Sequence, residues 1–152
     1  MDGGDIPISI EFRNRTWFKN NIDETISLLR ELEVTHVVCD EPQAGEGSIP
    51  IISELTNERV LIRFHGRNVN GWNNYGQENW REVRFLYRYN QNELIEWANR
   101  IKALHQQAKS ITVLFNNNSG GDAADNAKQL IDLLDIKYKG LHPKQIELFD
   151  LW

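Results

Sequence analysis

Cysteine is almost absent. Cys39 stands alone among 152 residues, which excludes an intrachain disulfide framework and a zinc site built from several thiolates. It lies inside an apolar run, where a buried, inert thiol is the expectation. Proline is sparse and scattered, so no stiff proline-rich linker divides the chain. No apolar run reaches the roughly 20 residues a membrane helix needs. Met1 to Gly4 is acidic and flexible with no apolar segment behind it, so no signal peptide is read and the expected location is the cytoplasm. Positive charge is not in excess either. A net charge of -5 excludes the broad cationic face of a dedicated nucleic-acid binder while leaving room for a local basic patch. What is present is an ordinary globular composition, 40% hydrophobic and 26% charged, enough for one domain with one sizeable core.

Four short runs rich in Ile, Val and Phe read as strands: Ile8–Phe12, Thr35–Asp40, Val60–Phe64 and Ile111–Phe115. Helical periodicity fills three of the intervals. Asn21 or Asp23 caps a helix over Glu24–Leu32, Glu93–Ala108 aligns Leu94, Trp97, Ile101 and Leu104, and Asp122–Leu134 aligns Ala127, Leu130 and Ile131. The stretch from Glu41 to Arg59 has room for one turn of helix near Ile51–Leu55, and Trp17 with Phe18 staples the helix that follows them. Strands alternating with helices predict a parallel sheet of βα units.

Alternation splits each strand into two faces. One collects Ile8, Ile10, Phe12, Val37, Cys39, Val60, Ile62, Phe64, Ile111, Val113 and Phe115. The other collects Ser9, Glu11, Arg13, His36, Val38, Asp40, Leu61, Arg63, His65, Thr112, Leu114 and Asn116, and turns polar toward the strand C-termini. One apolar and one polar-topped face fits a TIM-like (β/α) barrel better than an open doubly wound sheet, which buries both faces. The expectation is an α/β fold, a partial TIM-like barrel of about four βα units with helices on the outer face. A closed barrel takes about 250 residues, so these strands make half of one. Its open edges predict pairing with a further half-barrel or self-association. Residues 1–152 read as one domain, with 136–152 a C-terminal tail packing on it.

EFRNRTWF (Glu11 to Phe18), VLIRFHGRN (Val60 to Asn68), YRYNQNELIEWANRI (Tyr87 to Ile101) and VLFNNNSGGDAADNAKQL (Val113 to Leu130) occur in that order. Together they resemble the C-terminal half of the domain of unknown function 72 family, also called YecE-like, from about Ile8 to Leu134. The resemblance implies a barrel related to the TIM fold, with no settled activity and with the N-terminal half-barrel missing from this chain.

At the barrel mouth, Glu11, Arg13, Asp40, Arg63, His65 and Asn116 would converge on one axis. His65 is the acid/base candidate, with Glu11 and Asp40 as the carboxylates. Arg13, Arg63 and Arg67 are anion clamps, and Asn116, Asn117, Trp72 and Tyr87 complete the ligand-binding candidates. Two bland readings stand beside these: a structural Arg63–Glu11 ion pair, and Asp40 as the cap of a turn. His36 is core-filling, and His105 and His142 have no role. Glu11, Asp40 and His65 are acceptable ligands for a divalent metal, though no local metal motif occurs. The Gly-rich turn before Asp122 suits a phosphate at a helix N-terminus, or a plain cap by Asp122.

The connection from His65 to Tyr87 is long enough to be functional and carries Trp72, Tyr75 and Trp80 among asparagines. From Arg59 to Arg88, six arginines face two glutamates, a basic lip on an acidic protein. The leading expectation is a barrel enzyme taking a small anionic, phosphorylated or sugar-containing ligand at the strand C-termini. Alternatives are a phosphodiesterase acting on nucleic acid and a non-catalytic half-barrel that binds a partner chain.

Overall fold

The computed structural model describes residues 6–45, 48–73, 76, 78–117 and 120–138, without the side chains of residues 81 and 82. Its elements run β1 (Ser9–Ile10), α1 (Thr16–Lys19), α2 (Ile22–Glu31), β2 (Thr35–Asp40), β3 (Arg59–Phe64), α3 (Val69–Asn73), α4 (Trp80–Val83), α5 (Gln91–His105), β4 (Ser110–Phe115) and α6 (Asp122–Leu133). The four strands form one parallel sheet in the order β1-β2-β3-β4, as the alternation of strands and helices predicts. Of the proposed C-terminal tail (136–152), residues 139–152 lie outside the described residues, as does Tyr75. Among the described residues no helix is long and apolar enough to cross a membrane.

The main core lies between the sheet and the helices α5 and α6. Val60, Ile62 and Phe64 of β3 pack there with Leu94, Trp97, Ile101 and Leu130. Phe64 stacks on Phe115 at 4.5 Å and meets Trp97 edge-on at 4.9 Å. α5 starts where the sequence marks it: Asn90 Oδ1 accepts the Glu93 N–H, and Glu93 Oε2 accepts the Asn90 N–H, a reciprocal cap. A second cluster joins Phe12, Phe18, Ile26, Leu29, Ile49 and Ile52 under α2. Phe18 is buried there, while Trp17, half exposed, lays its ring 5.1 Å from that of Phe12 and its carbonyl accepts from the Thr25 hydroxyl.

Several local expectations shift. β1 is shorter than expected and pairs with β2 only at Ser9 and Ile10. Residues 51–55 form no helix; Ile49 and Ile52 insert into the second cluster, and the Thr56 hydroxyl bridges the His36 N–H to the Val34 carbonyl. The cap of α6 is Gly121 in the left-handed region, φ 100°, and Asp122 is the first helical residue instead. The long connection after β3 holds two short helices, α3 and α4.

The largest correction concerns β2. Its register sets Val38 beside Ile62 and Cys39 beside Arg63. His36, Val38 and Asp40 therefore lie on the helix-covered face, and Val37 and Cys39 on the inner one, opposite to the sequence expectation. β1, β3 and β4 keep the expected parity. The reason is burial: every residue of β2 is buried, so no polar alternation marks its inner side.

His36 is core-filling as expected, packed against Phe18 and Phe12. Burial lowers its pKa to about 4, against an opposing bond to the Ile52 backbone. Because the folded value lies below the free one, stability from the neutral ring is full above about pH 6.5 and falls away toward pH 4. The loss through this group is about 3 kcal/mol. Urea midpoints measured across that window should fall less steeply for His36→Gln than for the wild type. An unchanged slope would show that His36 carries none of it.

Candidate anion-binding site

The strand ends set the site. Glu11, His65 and Asn116 each follow directly on β1, β3 and β4, and the ladder continues through them: the His65 N–H reaches the Asp40 carbonyl at 2.8 Å and the Asn116 N–H the Phe64 carbonyl at 2.7 Å. Their side chains meet on the inner face. Asn116 Nδ2 donates to His65 Nδ1 at 3.3 Å, and His65 Nε2 lies 3.2 Å from Glu11 Oε1. Arg63 Nη1 donates to Glu11 Oε2 at 2.5 Å, and Arg13 Nη2 lies 2.9 Å from Oε1. The expected Glu11–Arg63 pair is present, and Arg13 joins it.

The electrostatics follow from this crowding. Burial alone would raise the pKa of Glu11. The His65 and Arg63 hydrogen bonds and the Arg13 charge overcome it and hold the carboxyl at about 2, ionised throughout the neutral range. His65 is fully buried, and burial lowers its pKa although Glu11 pulls the other way. The neutral ring then donates at Nε2 to Glu11 and accepts at Nδ1 from Asn116. His65 sits behind Glu11, and of the pair it is Glu11 that retains solvent access, its side chain 13% exposed.

Three residues outside the expected site set also belong here. The Cys39 thiol shares the inner face, within 4.8 Å of the polar atoms of Glu11 and His65. Burial raises its pKa to about 12, as expected for an inert thiol. Glu41, one residue beyond Asp40, is the β2 carboxylate that faces the mouth: its charged neighbours are Arg13, Arg84 and Glu11. Arg84 lies on the far rim, its guanidinium 3.6 Å from the Trp72 ring and flanked by Trp80 and Phe85. Asn68 ties this rim together through the Val83 and Leu86 carbonyls and the Gly71 N–H. Trp72 is buried under Arg84 rather than presented to a ligand.

Glu11, Cys39 and His65 thus gather three donor types, yet they do not fit a divalent cation. The Glu11 oxygens are taken by three N–H donors, the thiol holds its proton, and guanidinium groups surround the set. The same surroundings favour an anion. Arg13 and Arg63 bring two positive charges to the ionised Glu11, and Arg84 adds a third beside Arg13 and Glu41. Arg63 Nε and Arg84 Nε are moreover buried without a hydrogen-bond partner among the described residues.

Other expected site residues form a separate assembly. Asp40 is fully buried on the helix side, where it accepts from Arg67 Nε at 2.9 Å, from Arg67 Nη2 at 2.6 Å and from the Trp97 indole. Arg67 continues to Glu93 at 3.3 Å, and the Tyr87 hydroxyl donates to the same Glu93 at 2.6 Å. This network fastens the start of α5 to the end of β3. Asn117, also fully buried, donates to the Tyr87 carbonyl and to Asn126 of α6. At the α6 N-terminus, Asp122 and Asp125 already engage Arg88, which leaves that turn poorly suited to phosphate.

Comparison with known proteins agrees with this architecture. The chain is 56% identical over 149 residues to the UPF0759 protein YunF of Bacillus subtilis (strain 168), an alignment covering 96% of this chain and 53% of that protein. It superposes on the crystal structure of a DUF72 family protein from Enterococcus faecalis V583 with a TM-score of 0.84 at 41% identity, covering 94% of this chain and 52% of that one. A DUF72 family protein from Thermotoga maritima MSB8 gives 0.76 at 33% identity, over 86% and 46% of the two chains. The chain thus spans about half the length of the relatives it matches, as a partial TIM-like fold of four βα units requires. Residues 3–147 match the family described as "Protein of unknown function DUF72", and the chain belongs to that family.

Proposed function

We propose that the inner mouth binds an oxyanion carried on a hydroxyl-bearing compound, of the sugar-phosphate type, and that the protein acts on or senses that compound. The observation that carries this is the pairing of Arg13 and Arg63 with Glu11, with Arg84 close to Arg13 and two buried guanidinium N–H groups unpartnered among the described residues. Charge-assisted bonds from guanidinium to phosphate are among the strongest a protein makes. Glu11, fixed by His65 and Asn116, supplies the acceptor for a ligand hydroxyl, and His65 acts behind it by orienting the carboxylate. The lone free thiol suits a reducing compartment, and the reading includes a cytoplasmic location.

Calorimetric titration with inorganic phosphate and with a hexose phosphate tests the reading. The sugar phosphate should bind more tightly than phosphate, and Arg13→Ala combined with Arg84→Ala should weaken both by at least about tenfold. Equal affinity of wild type and double variant would remove the anion site.

A second reading rests on the open inner face, where Leu114 is 46% exposed and β1 and β4 have free edges. Further strands, from a longer polypeptide or a second chain, complete the barrel and the mouth. Light scattering on this chain should find dimers or larger species. A cooperative monomer would count against that arrangement.

A further inference from the structure

Glu41 stands beside the Glu11 cluster without a hydrogen bond or ion pair to it among the described residues. It is 3% exposed, and among the described residues its side chain bonds only the Ile49 N–H, 2.6 Å from Oε1. Among the described residues no cation lies within ion-pairing distance, although Arg13 and Arg84 both face it. Burial without a contact ion pair disfavours the charged form of a carboxyl group, so the charge of Glu41 is supported only by the Ile49 N–H and by cations further off. The groups around it are Glu11 and Arg13 from the end of β1, Cys39 from β2, and Arg84 from the end of α4. Its carboxylate and an incoming oxyanion would therefore compete for the same two guanidinium groups.

We propose that Glu41 is a built-in counterion for Arg13 and Arg84, and that an oxyanion enters the mouth together with a proton that neutralises Glu41. The inference rests on the anion reading above and specifies its ligand: a strong oxyanion bound with uptake of up to one proton. Burial pushes the Glu41 pKa up, and Arg13, Arg84 and the Ile49 N–H oppose that without reversing it. The group thus titrates above the ordinary carboxylate range, and an anion alongside raises it further. Affinity must then fall as pH rises, because the ionised Glu41 has to be protonated before the anion can take its place. Gln at this position keeps the shape and the carbonyl that accepts the Ile49 N–H, but it has no charge to neutralise.

Sulfate is the probe, since its double charge is constant over the range tested. Its dissociation constant is measured at fixed ionic strength from about pH 5 to about pH 8 for wild type and Glu41→Gln. The wild type should weaken by up to about tenfold per pH unit once Glu41 ionises, while the Gln variant stays flat and binds at least about tenfold more tightly at the upper end. Calorimetry of the wild type in buffers of different ionisation heat should record proton uptake, a readout that needs no variant to fold. Parallel pH dependence in the two proteins, or no proton uptake by the wild type, overturns the role of Glu41 and leaves the anion site standing. Absence of sulfate binding to both proteins, or binding that Arg13→Ala leaves unchanged, removes both.

Discussion

Replacing Asp40 with alanine should cost about 3–5 kcal/mol of folding stability, the penalty for breaking a buried ion pair from one side. Asp40 is fully buried, and its carboxylate is shared by the Arg67 guanidinium and the Trp97 indole. Alanine would leave Arg67 with a charge answered only by Glu93 and Glu96, and Trp97 with a buried N–H lacking its acceptor. Asparagine retains the shape and one acceptor, so its loss should be smaller, about 1–3 kcal/mol. Urea unfolding of both variants checks this. If Asp40→Ala unfolds within about 1 kcal/mol of wild type, the network is not structural and the carboxylate returns to the list of candidate site groups.

The second large effect belongs to Gly66, between His65 of the anion site and Arg67 of the α5 network. Its φ is +87°, and a Cβ there would lie 2.6 Å from the Tyr87 Cβ. Left-handed backbone costs an ordinary residue about 1–2 kcal/mol, and the clash adds about 1–3 kcal/mol because Tyr87 is anchored to Glu93 and cannot retreat. Gly66→Ala should therefore lose about 2–5 kcal/mol and weaken sulfate binding as well, through displacement of His65. Gly45 is the control: its φ is +84° but open space surrounds it, so Gly45→Ala should show the backbone cost alone. Equal losses at the two glycines would mean that the Tyr87 contact contributes nothing.

Much of this was legible in the sequence, and the failures have physical causes. Period-two alternation placed Arg63 opposite Ile62 and Phe64, and so identified Glu11 as its partner. The cap at Asn90, with Glu93 three residues on, marked the start of α5. Alternation failed on Thr35–Asp40, where both faces are buried and hydrophobicity carries no direction. That failure moved Asp40 from the mouth to the core and concealed Glu41 and Cys39. The tertiary partners of Arg67, Tyr87 and Asn117 were also unreadable, because each depends on where α5 and α6 dock. The arginine-rich segment after β3 was visible as a basic lip, but only packing separates Arg84, stacked on Trp72, from Arg88, which is consumed by α6.

The adjacent pair Asp40–Glu41 sends one carboxylate to each side of the sheet, and the two do unrelated work. Substitution can alter either one alone. Insertion or deletion of a single residue within β2 cannot: it would exchange their faces, taking Asp40 away from Arg67 and Trp97 and Glu41 away from the mouth. The length of this strand is therefore held as tightly as the identity of any residue in it. Beyond Pro42 an added residue no longer shifts the register of either carboxylate.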